Sequence, residues 1–411
     1  MGVWYIYCLM INMEDIMKSG MKFYLVIVAL TAFAMALTND VMSNFFKDAY
    51  NVSALGRGML EAPRELPGML LIIVVTGLSF LSDIKISMIA QLLSLIGITV
   101  LGLVTPSLGI MMIFVFINSL GMHMFFPMQD SIGMSLAEPD KVGKRMGQYK
   151  GLGTAFQMLG AGFVFVGFRT GFFSFATDVK SIFLIAGFLF AVVFVLLLYL
   201  NKALHIEGKH PKKVKFIFRK EYKFYYMLVI MFGVQKQMMM VYGPWVLIEM
   251  LGKKTDTIAS LNIIGLFIGI FFIPAIGRWL DQFGVKKLLL LDAVSFIVVY
   301  LFYGILTAGY EAGFIATTGL PVFLAYALFV VDRMSTQMGI VRTVYLKTIT
   351  VKVNDITPTL ALGISMDHVV SISFAILGGL IWHNFGAQYV FFLAAALSLV
   401  NLYVALKLKI N

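Results

Sequence analysis

Gly277-Arg278-Trp279-Leu280-Asp281-Gln282-Phe283-Gly284-Val285-Lys286-Lys287 lies between two apolar runs of membrane-spanning length. Two glycines bracket an acid and two lysines follow, leaving room only for a tight turn that joins two helices. Gly277 would let that turn pack closely, and Gly284 can adopt a positive φ at little cost. Asp281 is placed to cap or face a neighbouring helix N-terminus, where negative charge is favoured.

A degraded copy stands upstream at Ser79-Phe80-Leu81-Ser82-Asp83-Ile84-Lys85, with serine for the first glycine and Ile86 for the second. Asp83 and Asp281 are separated by about half the chain, the spacing expected of two parallel repeats. The downstream stretch resembles the signature loop of the major facilitator superfamily of secondary transporters, in which Gly, any, Leu, small, Asp, Arg, any, Gly is followed by basic residues. Gly277, Asp281, Gly284 and Lys286 match, while Trp279 and Gln282 depart. The resemblance implies an all-α fold of twelve transmembrane helices in two six-helix halves, alternating around a midplane site. It also implies a gating role for Asp83, Gly277, Arg278, Asp281, Gly284 and Lys286.

Composition agrees independently. Sixty per cent of the 411 residues are apolar and 13% are charged, with a mean hydropathy of +0.92. A soluble domain holds roughly half apolar and a quarter charged residues. At about 20 apolar residues per spanning helix, this chain can supply about twelve. The net charge of +11 gathers in alternate short loops, as topology requires, so it calls for no nucleic-acid partner. A single cysteine, Cys8, excludes an internal disulfide and CxxC chemistry. No HExxH, GxSxG or GxxxxGK[ST] motif is present, so neither an enzyme nor an ATP-driven pump is expected, and no cofactor or metal.

Residues 1–22 hold an apolar run, Val3 to Ile11, that is too short to span and is followed by no small-residue cleavage site, so the segment reads either as a mis-assigned leader or as an interfacial stub, with no function assigned to it. Residues 23–201 are the expected N-terminal half, with spans near 23–46, 58–81, 86–104, 109–136, 151–168 and 182–200. Gly151, Gly153, Gly160 and Gly162 in the fifth would permit close helix approach. Residues 202–223 form a basic cytoplasmic linker suited to anionic inner-leaflet lipid. Residues 224–411 are the C-terminal half, with spans near 224–251, 258–280, 288–306, 321–345, 358–382 and 388–406. Both termini are expected on the cytoplasmic side of a plasma (bacterial inner) membrane.

A charge at bilayer depth costs about 2.5–3.5 kcal/mol, so such side chains face a cavity or a partner. The candidates for substrate binding or proton coupling are Asp40, Glu61, Arg64, His123, Asp130, Lys236, Asp332, Arg333, Asp367 and His368. Glu61 and Arg64 are three apart and share a helical face, while Pro63 and Pro67 imply a bend. By the resemblance, the first, fourth, seventh and tenth helices line the path. Asp40, Asp130, Lys236 and Asp332-Arg333 fall on those four. Lys236 sits in an apolar span and needs an acid, for which Asp332 is the expected partner. Asp367-His368 could exchange protons near neutral pH. The reading is a monomeric secondary transporter for a small polar or anionic solute, with protons as coupling ion. Its competitors are an efflux transporter or uniporter for lipophilic compounds and a transporter-derived membrane sensor.

Overall fold

The structure is a computed structural model describing residues 2–78, 80–137, 142–203, 218–352 and 355–408, with residues 2–19, 72, 142–144, 357 and 358 described by backbone alone. Ser79, Glu138–Lys141, most of the 202–223 linker and the Cys8 side chain lie outside what is described. Fourteen α-helices follow one another among the described residues: α1 (Gly2–Asn39), α2 (Met42–Tyr50), α3 (Ala54–Met59), α4 (Glu61–Gly77), α5 (Asp83–Leu103), α6 (Leu108–Ser135), α7 (Val142–Arg169), α8 (Ser181–Ala203), α9 (Lys223–Trp245), α10 (Thr255–Ala312), α11 (Leu320–Gln337), α12 (Gly339–Ile349), α13 (Ile356–Phe385) and α14 (Ala387–Lys407).

Nine helical stretches among them are long and apolar enough to cross a bilayer. The longest, α10, has 58 residues. Laid straight at 1.5 Å per residue it would reach about 87 Å, against a hydrocarbon thickness of about 30 Å, so it must fold back. It does so at Gly284, whose φ of 77° and ψ of 166° are non-helical. That region is open in practice only to glycine, which is why the chain bends there. The pair α3–α4 and the pair α11–α12 supply two further broken spans, bringing the total among the described residues to twelve.

Three departures from the expected spans have local causes. The first span is interrupted at Asp40–Val41 between α1 and α2. The tenth divides at Met338, between α11 and α12. In the second, Pro63 falls in the first turn of α4, where a missing N–H is harmless, while Pro67 lies inside the helix and leaves one carbonyl without its donor.

The chain divides into two compact units, Met1–Val41 with Leu70–Lys212, and Met42–Met69 with Lys213–Asn411. In the first, Tyr24, Ile27, Ile84, Ala90, Met124, Phe125, Val193 and Leu197 bury a core between α1, α5, α6 and α8. Gly160 lets α7 close on α1, since a Cβ there would lie 2.7 Å from that of Ala36. Gly151 and Gly162 would meet no described atom within 4 Å and Gly153 only ordinary contacts, so the glycine stripe acts mainly through one position. In the second unit, Met238, Tyr242, Phe296, Tyr300, Tyr303, Phe329 and Phe391 form the core of α9, α10, α11 and α14. The short segment Met42–Met69 packs on that unit through α3, which lies against α13.

Candidate functional site

Three consecutive residues on α9 organise the polar interior of the second unit. Successive residues of an α-helix point about 100° apart, so Gln235, Lys236 and Gln237 address three neighbours. Gln235 faces α14: its Nε2 donates to Ser398 Oγ at 2.7 Å, and Asn401 Nδ2 donates to its Oε1 at 3.0 Å. Lys236 faces α13, where its ammonium pairs with Asp367 Oδ2. Gln237 faces α4, donating to Glu61 Oε2 at 2.9 Å.

Glu61 is fully buried and is the most heavily engaged acid of the group. Its Oε1 accepts from Arg57 and from Arg64. The i,i+4 and i,i+3 spacings put both guanidiniums on one side of the α3–α4 segment. One residue further along that face, Glu65 Oε2 lies 2.8 Å from His368 Nδ1 on α13. Gly58 and Gly68 make this close approach possible. A Cβ on Gly58 would fall 2.3 Å from the Ala375 carbonyl oxygen, and one on Gly68 would fall 2.3 Å from the His368 ring.

The result is a connected layer of three cations (Arg57, Arg64, Lys236), three acids (Glu61, Glu65, Asp367) and one imidazole. Arg57 and Glu61 are sealed, whereas Lys236 is 24% exposed, Arg64 19%, Asp367 18% and His368 13%. The graded exposure gives the layer a sealed floor and an accessible rim. Asp367 stands 11 residues into α13 and Lys236 13 residues into α9. At 1.5 Å per residue this is about 17–20 Å from the helix ends, near the middle of a membrane.

Asp332 is not the partner of Lys236. It is buried on α11, and its described partner is the Tyr300 hydroxyl, 3.0 Å away. Lys236 turns to α13 because Asp367 lies on the helix its own face packs against. Arg333 points elsewhere, with its guanidinium carbon 5.1 Å from the centre of the Phe329 ring.

Asp130, His123 and Asp40 belong to the first unit. Asp130 pairs with Lys150 at 2.6 Å on the surface. His123 Nδ1 sits 2.8 Å from the Ser119 carbonyl oxygen, one turn back. Asp40 occupies the turn after α1. Within either unit taken alone, the described residues gather no three His, Cys, Asp or Glu ligands for a metal ion.

The two signature loops differ in detail. In the upstream copy Ser82, not Asp83, is the N-cap of α5, and Asp83 accepts a hydrogen bond from Ser131 on α6. Downstream, Asp281 is exposed one turn before the Gly284 bend, and a Cβ on Gly277 would meet no described atom. The expected close packing at Gly277 and helix capping by Asp281 are therefore both absent among the described residues. Lys286 donates to the Leu408 carbonyl at 2.8 Å, placing a cation at the C-terminal end of α14, where the helix dipole favours it. Arg278 is exposed.

Several residues of this interior escaped the sequence reading. Arg57 carried a usable signal, its i,i+4 spacing to Glu61. Asp292 was an acid inside the ninth span, and Arg342 pairs with it at 2.6 Å while both are buried. The Arg342 guanidinium also lies 4.0 Å from the centre of the Phe232 ring.

Nine long apolar stretches among the described residues, a glycine hinge in a charged turn and a mid-depth ionic layer are the features of a membrane transporter. Its family follows from direct comparison. The model of the Major Facilitator Superfamily matches residues 24–346, and the chain belongs to that superfamily. Among solved structures, it is similar to the nucleoside transporter NupG, with 14% identity, TM-score 0.72 and coverage of 94% of this chain and 99% of that one. It is also similar to an auto-inhibited POT family peptide transporter, with 9% identity, TM-score 0.75 and coverage of 96% and 98%. A bacterial homolog of the human lysosomal transporter Spinster, inward-facing and unoccupied, gives 11% identity, TM-score 0.67 and coverage of 95% and 96%. No curated protein matches the chain.

Proposed function

We propose that this chain is a secondary active transporter that moves a small polar or anionic solute by alternating access, with protons as the coupling ion. The observation that carries the reading is the ionic layer around Lys236. Three cations and three acids are held at membrane depth with their rim partly open, an arrangement too costly to keep as inert core. Lys236 and Arg64 are the groups that would meet an anionic or dipolar solute, and Asp367, Glu65 and His368 are the groups that would exchange protons with it. A transporter of purely lipophilic compounds would gain nothing from burying six charges. The solutes of the structural neighbours, nucleosides and peptides by their names, are small polar molecules, which accords with this substrate class.

In this reading residues 23–201 and 224–411 are the two moving halves and 202–223 the cytoplasmic linker. The protein is a monomer in the plasma membrane with both termini cytoplasmic. The loop containing Asp281 and the Gly284 hinge gates the cytoplasmic side. The test is uptake of radiolabelled uridine, di-alanine and lactate into proteoliposomes, with and without an inward-acid pH gradient. Saturable uptake that the gradient accelerates supports the proposal. Uptake indifferent to the gradient identifies a uniporter, and specific binding without uptake identifies a sensor.

A further inference from the structure

A second buried polar cluster lies beside the ionic layer, and among the described residues none of its hydrogen bonds comes from a cation. Tyr300 on α10 places its hydroxyl oxygen 2.8 Å from the Gln235 main-chain oxygen and 3.0 Å from Asp332 Oδ1. Tyr300 and Gln235 are fully buried and Asp332 is 2% exposed. The same Gln235 binds Ser398 and Asn401 through its carboxamide, so α9, α10, α11 and α14 meet at this one cluster.

A tyrosine hydroxyl has one proton and here has two acceptors. If Asp332 were ionised, both neighbours would compete for that proton, and the buried carboxylate would have one neutral donor among the described residues. A buried charge without an ionic partner neutralises instead. The adjacent Arg333 acts only at a distance: it makes no ion pair among the described residues and its guanidinium lies over Phe329, while the nearby Arg342 is committed to Asp292 at 2.6 Å. If Asp332 carries a proton, its O–H donates to the Tyr300 oxygen and the Tyr300 O–H donates to the Gln235 carbonyl. Every contact is then satisfied in one direction.

We infer that Asp332 is a neutral carboxylic acid that acts as a hydrogen-bond donor, fixing through Tyr300 the α9 segment that carries Lys236, and that it is not a counter-ion of the transport site. Its importance to transport rests on the function proposed above; its protonation does not. Asp332 is thus a positioning residue, and its proton is held through the cycle.

Infrared difference spectroscopy of the purified full-length protein reads this directly. Wild type minus Asp332→Asn should show loss of a C=O stretch in the carboxylic-acid region, unchanged from about pH 6 to about pH 8, where an ordinary aspartate is ionised. A difference confined to the carboxylate bands would overturn the inference. Tyr300→Phe, which leaves the carboxyl in place, gives an independent reading. It should shift the same carboxylic-acid band without abolishing it, and no change in that region would also refute the inference. Asp332→Asn, which keeps an N–H donor toward Tyr300, should retain the unfolding temperature that Asp332→Ala loses. Equal losses in the two variants would count against a donor role.

Discussion

Replacing Lys236 by methionine preserves the stem and removes the charge, leaving Asp367 without its ammonium on α13. Breaking a fully buried ion pair by deleting one partner costs about 3–5 kcal/mol, whereas an exposed pair contributes about 0–1 kcal/mol. With 24% and 18% exposure, this pair lies nearer the buried limit, and a loss of about 2–3 kcal/mol follows for Lys236→Met. Asp367→Asn should cost a similar amount, because it strands the ammonium. For a folding unit of 150–250 residues, about 2–4 °C of melting temperature is lost per kcal/mol, so each single change should lower the transition by about 5–10 °C. The double variant strands neither charge. Its loss should fall short of the sum by about 1–3 kcal/mol, the coupling expected of residues in contact. Thermal unfolding in detergent, followed by tryptophan fluorescence, supplies all four corners of the cycle. The pair Lys236→Met with Asp332→Asn is the internal control and should be additive. Additive losses for Lys236 with Asp367, or coupling to Asp332 instead, would refute the placement.

Other substitutions probe the Gly284 hinge, the proposed gate and the start of α13. Gly284→Ala forces a side chain into a backbone region reserved for glycine and should cost about 1–3 kcal/mol, read as a lower melting temperature with no change in ligand binding. Asp281→Asn should slow transport while leaving membrane insertion and ligand affinity intact, which initial rates and equilibrium binding separate; full activity would remove the gate from the account. At the membrane edge, Asp355 accepts from Arg219 Nε at 2.6 Å and from the Tyr222 hydroxyl at 2.9 Å. Burial raises its carboxyl, but the bonds from Arg219 and Tyr222 outweigh that and hold it below the ordinary aspartate value. A folded value below the unfolded one gives a contribution that is present above the unfolded value and is lost only as pH falls through the folded value. Protection of this segment from trypsin should therefore stay constant from about pH 8 to about pH 5, and Asp355→Asn should expose it across that range.

The membrane fold was legible because its signals are local. Long apolar runs, basic loops and the Gly284 hinge each report on residues adjacent in the chain, and Gly284 marks the bend that splits α10. The ionic layer was half legible. Lys236, Glu61, Arg64, Asp367 and His368 stood out because charge at membrane depth is costly wherever it occurs. Their pairing was not legible, because it depends on which helix packs against which face of α9. Lys236 was assigned to Asp332 on general expectation, while the structure turns Gln235, Lys236 and Gln237 toward three different neighbours. Arg57 carries a local signal, its i,i+4 spacing to Glu61, but it lies before the apolar run of its span, so the sequence does not mark it as a charge at membrane depth. Asp292 and Arg342 lie 50 residues apart, and only tertiary contact reveals that they neutralise each other. At Gly277 a real local signal was over-read, since matching a signature loop does not establish what each glycine packs against.

The central claim is that solute crosses through the layer around Lys236, and entrance counterflow with a transported probe tests it without any imposed ion gradient. Proteoliposomes loaded with unlabelled probe are diluted into trace label, and the transient overshoot of label is recorded for wild type and for Lys236→Met with Asp367→Asn. That double variant regains much of its stability and has lost only the charges. The account predicts a clear overshoot for wild type and none for the folded double variant. An overshoot of wild-type size from the double variant would contradict it, because the solute would then be passing somewhere else.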